Sequence, residues 1–196
     1  MKRYLIDITR FISRIGHGHP TGIDRVEIEY IKECARRDGN SLAIARMGKG
    51  VVVLPTRDVV NVIEPLGTGK SLGFPRWRDA VRFKLPYAQR SARSAFWRRA
   101  TFKGRSLDAV LTRLDLSGVE YVNVGHSNLS HDMFEALRTA GCKDFTVMVH
   151  DMIPLDFPQY TRPTIPAQFE KRMKAVAHHA TRVICNSHAT SSRVSS

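Results

Sequence analysis

Cysteines and long apolar runs are both scarce in this sequence, and each shortage excludes a class of protein. The three cysteines, Cys34, Cys142 and Cys185, are odd in number and form no CxxC pair, so they favour a reducing compartment over a disulfide framework or a zinc site. Asp7 and Arg10 interrupt the apolar stretch that a signal peptide needs. No later apolar run approaches the roughly 18 residues of a membrane span. The sequence therefore predicts a cytoplasmic protein.

The overall composition is that of a folded globular protein. The 196 residues are 42% hydrophobic and 25% charged. A chain of this length buries about 70% of the surface of its unfolded state, so we expect one domain that needs no disulfide or structural metal. Lysine and arginine number 31 against 18 acidic residues, which gives a formal charge of +13 and indicates an anionic partner.

Most of this positive charge lies in residues 76–105, which we call the basic segment. It carries nine of the thirteen net positive charges and a single acid, Asp79. The basic residues of the candidate anion-binding patch are Arg76, Arg78, Arg82, Lys84, Arg90, Arg93, Arg98 and Arg99. Aromatic residues are interleaved with them, among them Trp77, Phe83 and Trp97, the last of which we include in the patch. Three interpretations are open: a nucleic-acid surface, an anionic membrane surface, and a solvated, partly disordered insertion at about 74–106.

Short strands alternate with helices along the chain, which predicts an α/β fold with a mainly parallel sheet and helices on both faces. The predicted strands are 4–9, 42–46, 51–54, 121–124, 145–149 and 182–185, with a further candidate at 59–63. One helix begins near Thr21, where Asp24 completes a capping-box-like pair, another begins at Ser130, and a third covers about 167–179.

Polar residues gather directly after four of the predicted strands. They are the glycine- and histidine-rich loop 16–20, the run 123–128, the pair His150 and Asp151, and the pair Asn186 and Ser187. In a parallel sheet these positions share one edge, where such sheets bind ligands. Each segment alone is consistent with an ordinary loop. The four together favour a binding site.

The start of the first helix has the residues of an anion site. Gly22 would let a phosphate approach the free backbone N–H groups, and Arg25 could add a bidentate contact. The alternative is a plain helix cap with a solvated Arg25.

Two further patterns do not predict sites. The stretch 67–71 has part of a Walker A loop, but Glu64 stands where that loop needs glycine. His178 and His179 are adjacent on a helix, so they lack the i, i+4 spacing of a metal pair. We expect neither ATP binding there nor a metal site.

Several separate blocks resemble one family. They are the run HDMIPL at 150–155, VICNSHAT at 183–190, DITR at 7–10, TGIDRV at 21–26 and YVNVGHSNL at 121–129. Together they resemble glycosyltransferase family 4, the retaining transferases of the GT-B fold. The resemblance covers roughly 4–34 and 119–194, and residues 40–118 match nothing in it.

The resemblance implies a Rossmann-like amino-terminal domain, which is one half of a GT-B architecture. Such a domain binds a sugar or lipid-linked sugar acceptor and faces a second domain that holds a nucleotide-sugar, and no cofactor is expected. His150 would orient the donor sugar. The residues near the donor diphosphate would be Thr21, Gly22 and Ser187. Those facing the acceptor would be Arg25, Asn123 and His126.

The resemblance also implies that part of the enzyme is missing. The family's donor domain carries two glutamates eight positions apart, and no two glutamates here have that spacing. We therefore expect the donor domain to be absent and the chain to be inactive alone. The basic segment would then bind an anionic membrane at its inner, cytoplasmic face, and nucleic acid is not expected. The alternative function is a non-catalytic basic module that binds anionic lipid or nucleic acid.

Overall fold

The computed structural model describes residues 2–37, 39–48, 50–67 and 72–195, so positions 68–71 of the Walker-like stretch lie outside the described residues. The strands are β1 (Arg3–Asp7), β2 (Leu42–Met47), β3 (Gly50–Pro55), β4 (Phe102–Gly104), β5 (Val119–Asn123), β6 (Asp144–Val149) and β7 (Arg182–Cys185). The helices are α1 (Thr9–Arg14), α2 (Gly22–Arg37), α3 (Thr56–Gly67), α4 (Trp77–Ala80), α5 (Tyr87–Arg99), α6 (Leu107–Leu111), α7 (His131–Thr139), α8 (Ile153–Asp156), α9 (Ile165–His179) and α10 (His188–Val194).

Seven strands form one sheet in the order β4-β3-β2-β1-β5-β6-β7. The pairs β1/β2, β1/β5, β5/β6 and β6/β7 are parallel, whereas β3 runs antiparallel to both of its neighbours. The described chain is therefore an α/β, Rossmann-like fold with a mostly parallel sheet. This confirms the fold class that the hydrophobic periodicity predicts.

The two faces of the sheet are covered by different helices. On β1, Leu5 packs on one face with Phe134 of α7, while the next residue, Ile6, packs on the other face with Ile12 of α1 and Phe96 of α5. Helices α6, α7 and α9 cover the first face, and α1, α3 and α5 cover the second. Each large side chain buried in this way stabilises the fold by about 1.5–3 kcal/mol.

The order of the strands reverses between β1 and β5. From β1 the chain adds β2 on one side and, later, β5 on the other, which leaves a crevice outside the carboxyl ends of β1 and β5. Crevices at such reversals are where open α/β sheets bind ligands. We therefore expect a ligand site to be formed by the residues that follow β1 and β5.

The predicted strand at 59–63 is wrong, because these residues lie in α3. Val59, Val62 and Ile63 are all buried, and their i, i+3, i+4 spacing puts them on one helical face. Among the helices that the sequence does not predict are α1, directly after β1, and the short α8, after β6. Pro154 does not prevent α8, since it stands in the first helical turn, where proline is tolerated.

The basic segment is built into the domain. Its α5 packs Ala92, Ala95 and Phe96 against the sheet, and its β4 extends the sheet beyond β3. Within the described part of the chain, no helix combines the length and the apolar character that crossing a bilayer requires.

Candidate functional site

A buried carboxylate, Asp7, lies at the carboxyl end of β1 in the crevice. It accepts hydrogen bonds from the backbone N–H of Thr9 (2.8 Å), the hydroxyl of Tyr121 (3.0 Å) and the side-chain amide of Asn128 (2.9 Å). Burial raises the pKa of Asp7, and the hydrogen bonds from Asn128 and Thr9 oppose that shift. The amide of Asn128 also donates to the hydroxyl of Thr9 at 2.6 Å, so this network joins β1 to the loop after β5.

Asn123, predicted to face the acceptor, is only 1% exposed. Its amide nitrogen donates to the hydroxyl of Tyr121 (2.9 Å) and to the carbonyl of Ser127 (2.6 Å). Its Oδ1 is buried and has no hydrogen-bond partner among the described residues. Asn123 thus holds the loop after β5 in place from below, and its acceptor-facing role stays a prediction.

His126 and His150 make a pair of crossed hydrogen bonds between the ends of β5 and β6. The Nε2–H of His126 donates to the carbonyl of Met148 (2.7 Å), and the Nε2–H of His150 donates to the carbonyl of Val124 (2.7 Å). The two rings lie 5.1 Å apart. Burial, with His150 adding to it, lowers the pKa of His126 to about 4, so this ring is neutral at pH 7. Each Nδ1 is left without a hydrogen-bond partner within the described residues.

The loop between these elements contains two left-handed residues that are not glycine. His126 has φ 58° and Asn128 has φ 60°. Such conformations are costly for residues with a Cβ, and where they persist they cluster at functional sites. Both residues point polar groups toward the network at the sheet edge, since Asn128 binds Asp7 and His126 binds β6.

The end of β7 is tied to the same edge. Ser187 caps α10, because its hydroxyl accepts a hydrogen bond from the backbone N–H of Thr190 at 3.1 Å. The hydroxyl of Thr190 in turn donates to the carbonyl of His150 at 3.2 Å. A single residue, Thr190, therefore links Ser187 to the backbone of His150. His150 is itself only 8% exposed.

A second group of charges lies at the start of α2. Arg10 pairs with Asp24 and donates to Oε2 of Glu27 at 2.9 Å. Asp24 also accepts hydrogen bonds from the backbone N–H of Thr21 (2.7 Å) and from its hydroxyl (2.8 Å), which confirms the capping box. Burial acts to raise the pKa of Asp24, but the hydrogen bonds from Thr21 and Arg10 outweigh it and hold that pKa below its ordinary value.

Glu27 is almost fully buried beneath the loop after β5. Burial raises the pKa of Glu27 to about 7, although Arg10 opposes the shift. Its Oε1 has no hydrogen-bond partner in the described part of the chain and lies against Gly125, where a Cβ would overlap it. The edge therefore contains a carboxyl group that can gain or lose a proton near neutral pH.

The residues predicted near the donor diphosphate are only partly free to bind it. Thr21 and Gly22 are exposed at the start of α2, but the carboxylate of Asp24 already accepts from the Thr21 N–H. Arg25, which follows Asp24 in α2, is exposed. Among the described interactions, it makes no contact with the histidine pair.

A cavity of about 960 Å³ lies beyond the end of β2. We call it the arginine pocket. Its charged lining residues are Arg46, Arg76, Arg78, Arg82, Arg93, Arg105, Asp79, Asp108 and Asp132. Two tryptophans, Trp77 and Trp97, also line it. Arg46 stands in β2, and its backbone N–H donates to the hydroxyl of Thr9 at 3.0 Å, so the pocket adjoins the Asp7 network.

Asp79, the single acid of the basic segment, is used inside the fold. It pairs with Arg76 (2.8 Å) and Arg93 (3.5 Å) and accepts from the hydroxyl of Ser94 (2.8 Å). Burial acts to raise the pKa of Asp79, but Arg76 and Ser94 hold it below its ordinary value. Arg93 is only 8% exposed and also donates to the carbonyl of Met47 at 2.7 Å.

Two further members of the predicted patch, Trp97 and Arg98, make contacts within the fold. Trp97 is half-buried, lies over Gly50 and stacks with Arg76, and Arg98 donates to the carbonyls of Leu72 and Phe74. Exposed apolar side chains gather instead at the start of the segment and just before it. They are Phe74, Trp77, Val81, Phe83 and Tyr87, and we call them the aromatic surface.

The structure thus gathers Asn123, His126, His150 and Ser187 at one edge, with the start of α2 beside them. Sequence reasoning gave no role to Asp7, Glu27 or Arg46. The sequence does contain an indication that Glu27 is buried, because it lies four residues from both Ile23 and Ile31 on the buried face of α2. Among the described residues, no group of three or more histidine, cysteine, aspartate or glutamate side chains could hold a metal ion.

No family model, curated protein or solved structure matches this chain.

Proposed function

We propose that this chain is the acceptor-side domain of a retaining glycosyltransferase that uses a nucleotide-sugar. The observation that carries the proposal is the histidine pair at the carboxyl edge, beside the Asp7 network and at the reversal of strand order. A ligand placed there meets two imidazole Nδ1 atoms on supported rings and a loop with two left-handed residues. The blocks that resemble glycosyltransferase family 4 contain these same residues.

In this proposal the reaction forms a bond from an acceptor hydroxyl to the anomeric carbon and breaks the bond from that carbon to the diphosphate. His150 orients the donor sugar, while His126 and Asn123 shape the acceptor side of the crevice. Thr21, Gly22 and Ser187 lie toward the diphosphate, and Arg25 extends the acceptor side. A donor-binding domain supplies the other wall of the cleft, and no cofactor takes part. The enzyme works in the cytoplasm, at the inner face of a membrane when the acceptor is lipid-linked.

The test joins this chain to the donor-binding domain of a family 4 glycosyltransferase and measures nucleoside diphosphate release with sugar acceptors. His150→Ala should lower kcat by roughly 10² or more, as expected for loss of a positioned polar group in a cleft. His126→Ala breaks the other crossed hydrogen bond, so it is the matched control, and we expect it to raise the KM for the acceptor with a smaller change in kcat. Equal kcat values for both variants, corrected for the folded fraction, would contradict the role of His150. We expect no turnover by the chain alone.

A second function, a basic module that binds anionic lipid or nucleic acid, is favoured by one observation. The aromatic surface is largely exposed and stands among Arg78, Arg82 and Lys84. Exposed aromatic and basic side chains together suit a lipid interface, where rings enter the headgroup layer and cations meet anionic lipids. Flotation with anionic vesicles, compared with binding to duplex DNA at matched salt, separates the two anionic partners.

A further inference from the structure

The arginine pocket holds positive charge that the protein itself does not neutralise. Arg76 and Arg93 are paired with Asp79. In contrast, the guanidinium groups of Arg46, Arg82 and Arg105 have no hydrogen bond or ion pair with any described residue. Three cationic side chains from three different parts of the chain therefore converge on one cavity with unused donors.

These charges act on one another. Burial and the nearby charge of Arg82 both lower the pKa of Arg93. The side chain of Arg82 also lies over the backbone of Gly48, which has φ 67° and leaves room for the guanidinium. Repulsion of this kind is relieved when an anion enters between the cations, and planar guanidinium groups bind phosphate oxygens in pairs.

The rest of the lining narrows the class of anion. Trp77 and Val81 line the pocket and are 72% and 58% exposed, so apolar surface continues from the cavity outward. Trp97 forms part of the wall, with Arg76 stacked on its ring at 4.5 Å. A cavity with both arginines and apolar walls suits a phosphate group that carries an organic substituent better than it suits a free inorganic ion.

We propose that the arginine pocket binds the phosphate or diphosphate group of an organic phosphate ester, with Arg46, Arg82 and Arg105 as its ligands. The ester is carried either by a membrane lipid or by a soluble molecule. That this ester is the glycosyl acceptor rests on the proposed function, because the pocket adjoins the Asp7 network through Thr9. The binding of phosphate itself does not depend on the proposed function.

The test measures binding of inorganic pyrophosphate by isothermal titration calorimetry. The pocket variant is Arg46→Gln with Arg82→Gln. The matched control is Arg57→Gln with Arg99→Gln, which removes the same charge from exposed positions outside the pocket. Both arginines of the pocket variant are exposed, so we expect all the proteins to fold, and thermal unfolding verifies it. We expect the pocket variant to bind pyrophosphate at least tenfold more weakly than wild type, and the control to stay within about twofold.

A second measurement identifies the source of the phosphate. Flotation with phosphatidylcholine vesicles that contain phosphatidic acid is repeated with pyrophosphate as competitor. Vesicle binding that pyrophosphate displaces and the pocket variant loses supports a lipid ester. Vesicle binding unaffected by the pocket variant, with pyrophosphate still bound in the pocket, supports a soluble ester.

Two outcomes would overturn the proposal. In one, the pocket variant and the control lose pyrophosphate equally, which would mean that only the general positive field acts. In the other, pyrophosphate does not bind to the wild-type protein, whether or not duplex DNA does. Neither outcome depends on sugar transfer, so a failure of the proposed function leaves this result interpretable.

Discussion

Two histidines at the ends of β5 and β6 each support the backbone of the other's strand. His150 binds the carbonyl of Val124, and His126 binds the carbonyl of Met148. These bonds fix the rings and direct each Nδ1 atom away from the bonded carbonyl. A positioned imidazole of this kind contributes both to stability and to any chemistry at the edge.

We expect His150→Ala to lower the free energy of unfolding by about 1–3 kcal/mol, because the buried carbonyl of Val124 loses its partner. Urea unfolding of the variant and wild type measures the difference. His188→Ala, which changes an exposed histidine at the start of α10, serves as the control and should leave stability nearly unchanged. An unchanged midpoint for His150→Ala would show that the crossed bond carries no stability.

Glu27 makes stability depend on pH. Because burial raises the pKa of Glu27 from 4.5 to about 7, the folded state holds this proton more tightly than the unfolded state does. The stability contributed by Glu27 is therefore fully present below about pH 4.5 and is lost as the pH rises through about 7. Glu27→Gln removes this dependence. We expect the free energy of unfolding of wild type, relative to the variant, to fall by up to about 1.4 kcal/mol per pH unit within this window.

The measurement is urea unfolding of wild type and Glu27→Gln at several pH values from about 5 to about 8. The two free energies of unfolding are subtracted at each pH because His126 is present in both proteins. Its lowered pKa makes stability rise with pH in part of the same range. Glu29→Gln, on the exposed side of α2, is the control and should show no such difference. A constant difference between wild type and Glu27→Gln would contradict the raised pKa.

Polar contacts hold helix α5 to its neighbours α4 and α1. Asp79 of α4 joins Arg93 and Ser94 of α5, and Gln89 of α5 donates to the carbonyls of Ile12 and Ser13 in α1. The apolar contribution comes from a narrow stripe that includes Phe96. The position of the arginine pocket therefore depends on Asp79.

We expect Asp79→Asn to lower the free energy of unfolding by roughly 3 kcal/mol, because Arg93 is left buried without its counter-charge. Asp108→Asn, an exposed pocket residue, is the control, and we expect little effect from it. Urea unfolding of both variants measures the comparison. Equal stabilities for the two would mean that Arg93 finds a sufficient partner in the carbonyl of Met47 alone.

Local sequence signals predict those elements whose stabilising contacts are also local. The capping box of Thr21 and Asp24 and the cap of α7 by Ser130 were predicted because donor and acceptor lie three residues apart. Helix α5 could not be predicted, since its buried Gln89 and Arg93 find partners far away in the sequence. The same applies to the site: its place after the strands followed from periodicity, but the pairing of His150 with Val124 depends on the register of β5 and β6.

Taken as a whole, the molecule puts its two most polar features next to each other at the carboxyl edge of one sheet. The Asp7 network and the histidine pair lie over β1, β5 and β6, and the arginine pocket lies beyond β2. The aromatic surface extends from the mouth of this pocket. A phosphate-linked molecule held at a membrane could therefore reach the polar edge without crossing the body of the domain.

Substitutions can separate the aromatic surface from the arginine pocket. Phe74 and Phe83 are 87% and 82% exposed and do not line the pocket, so Phe74→Ser with Phe83→Ser leaves the pocket and the net charge intact. If these rings enter the headgroup layer, the double variant should bind anionic vesicles about tenfold more weakly, since each ring loses about 1 kcal/mol or more of partial burial.

The matched control is Phe157→Ser with Tyr160→Ser, which removes two exposed rings near α8 and keeps the same charge. Vesicle flotation at two salt concentrations gives the measurement. The salt dependence should be the same in all three proteins, because the cations are unchanged. Equal losses in both double variants, or no loss in either, would show that the vesicles are held by charge alone and that the aromatic surface does not enter the membrane.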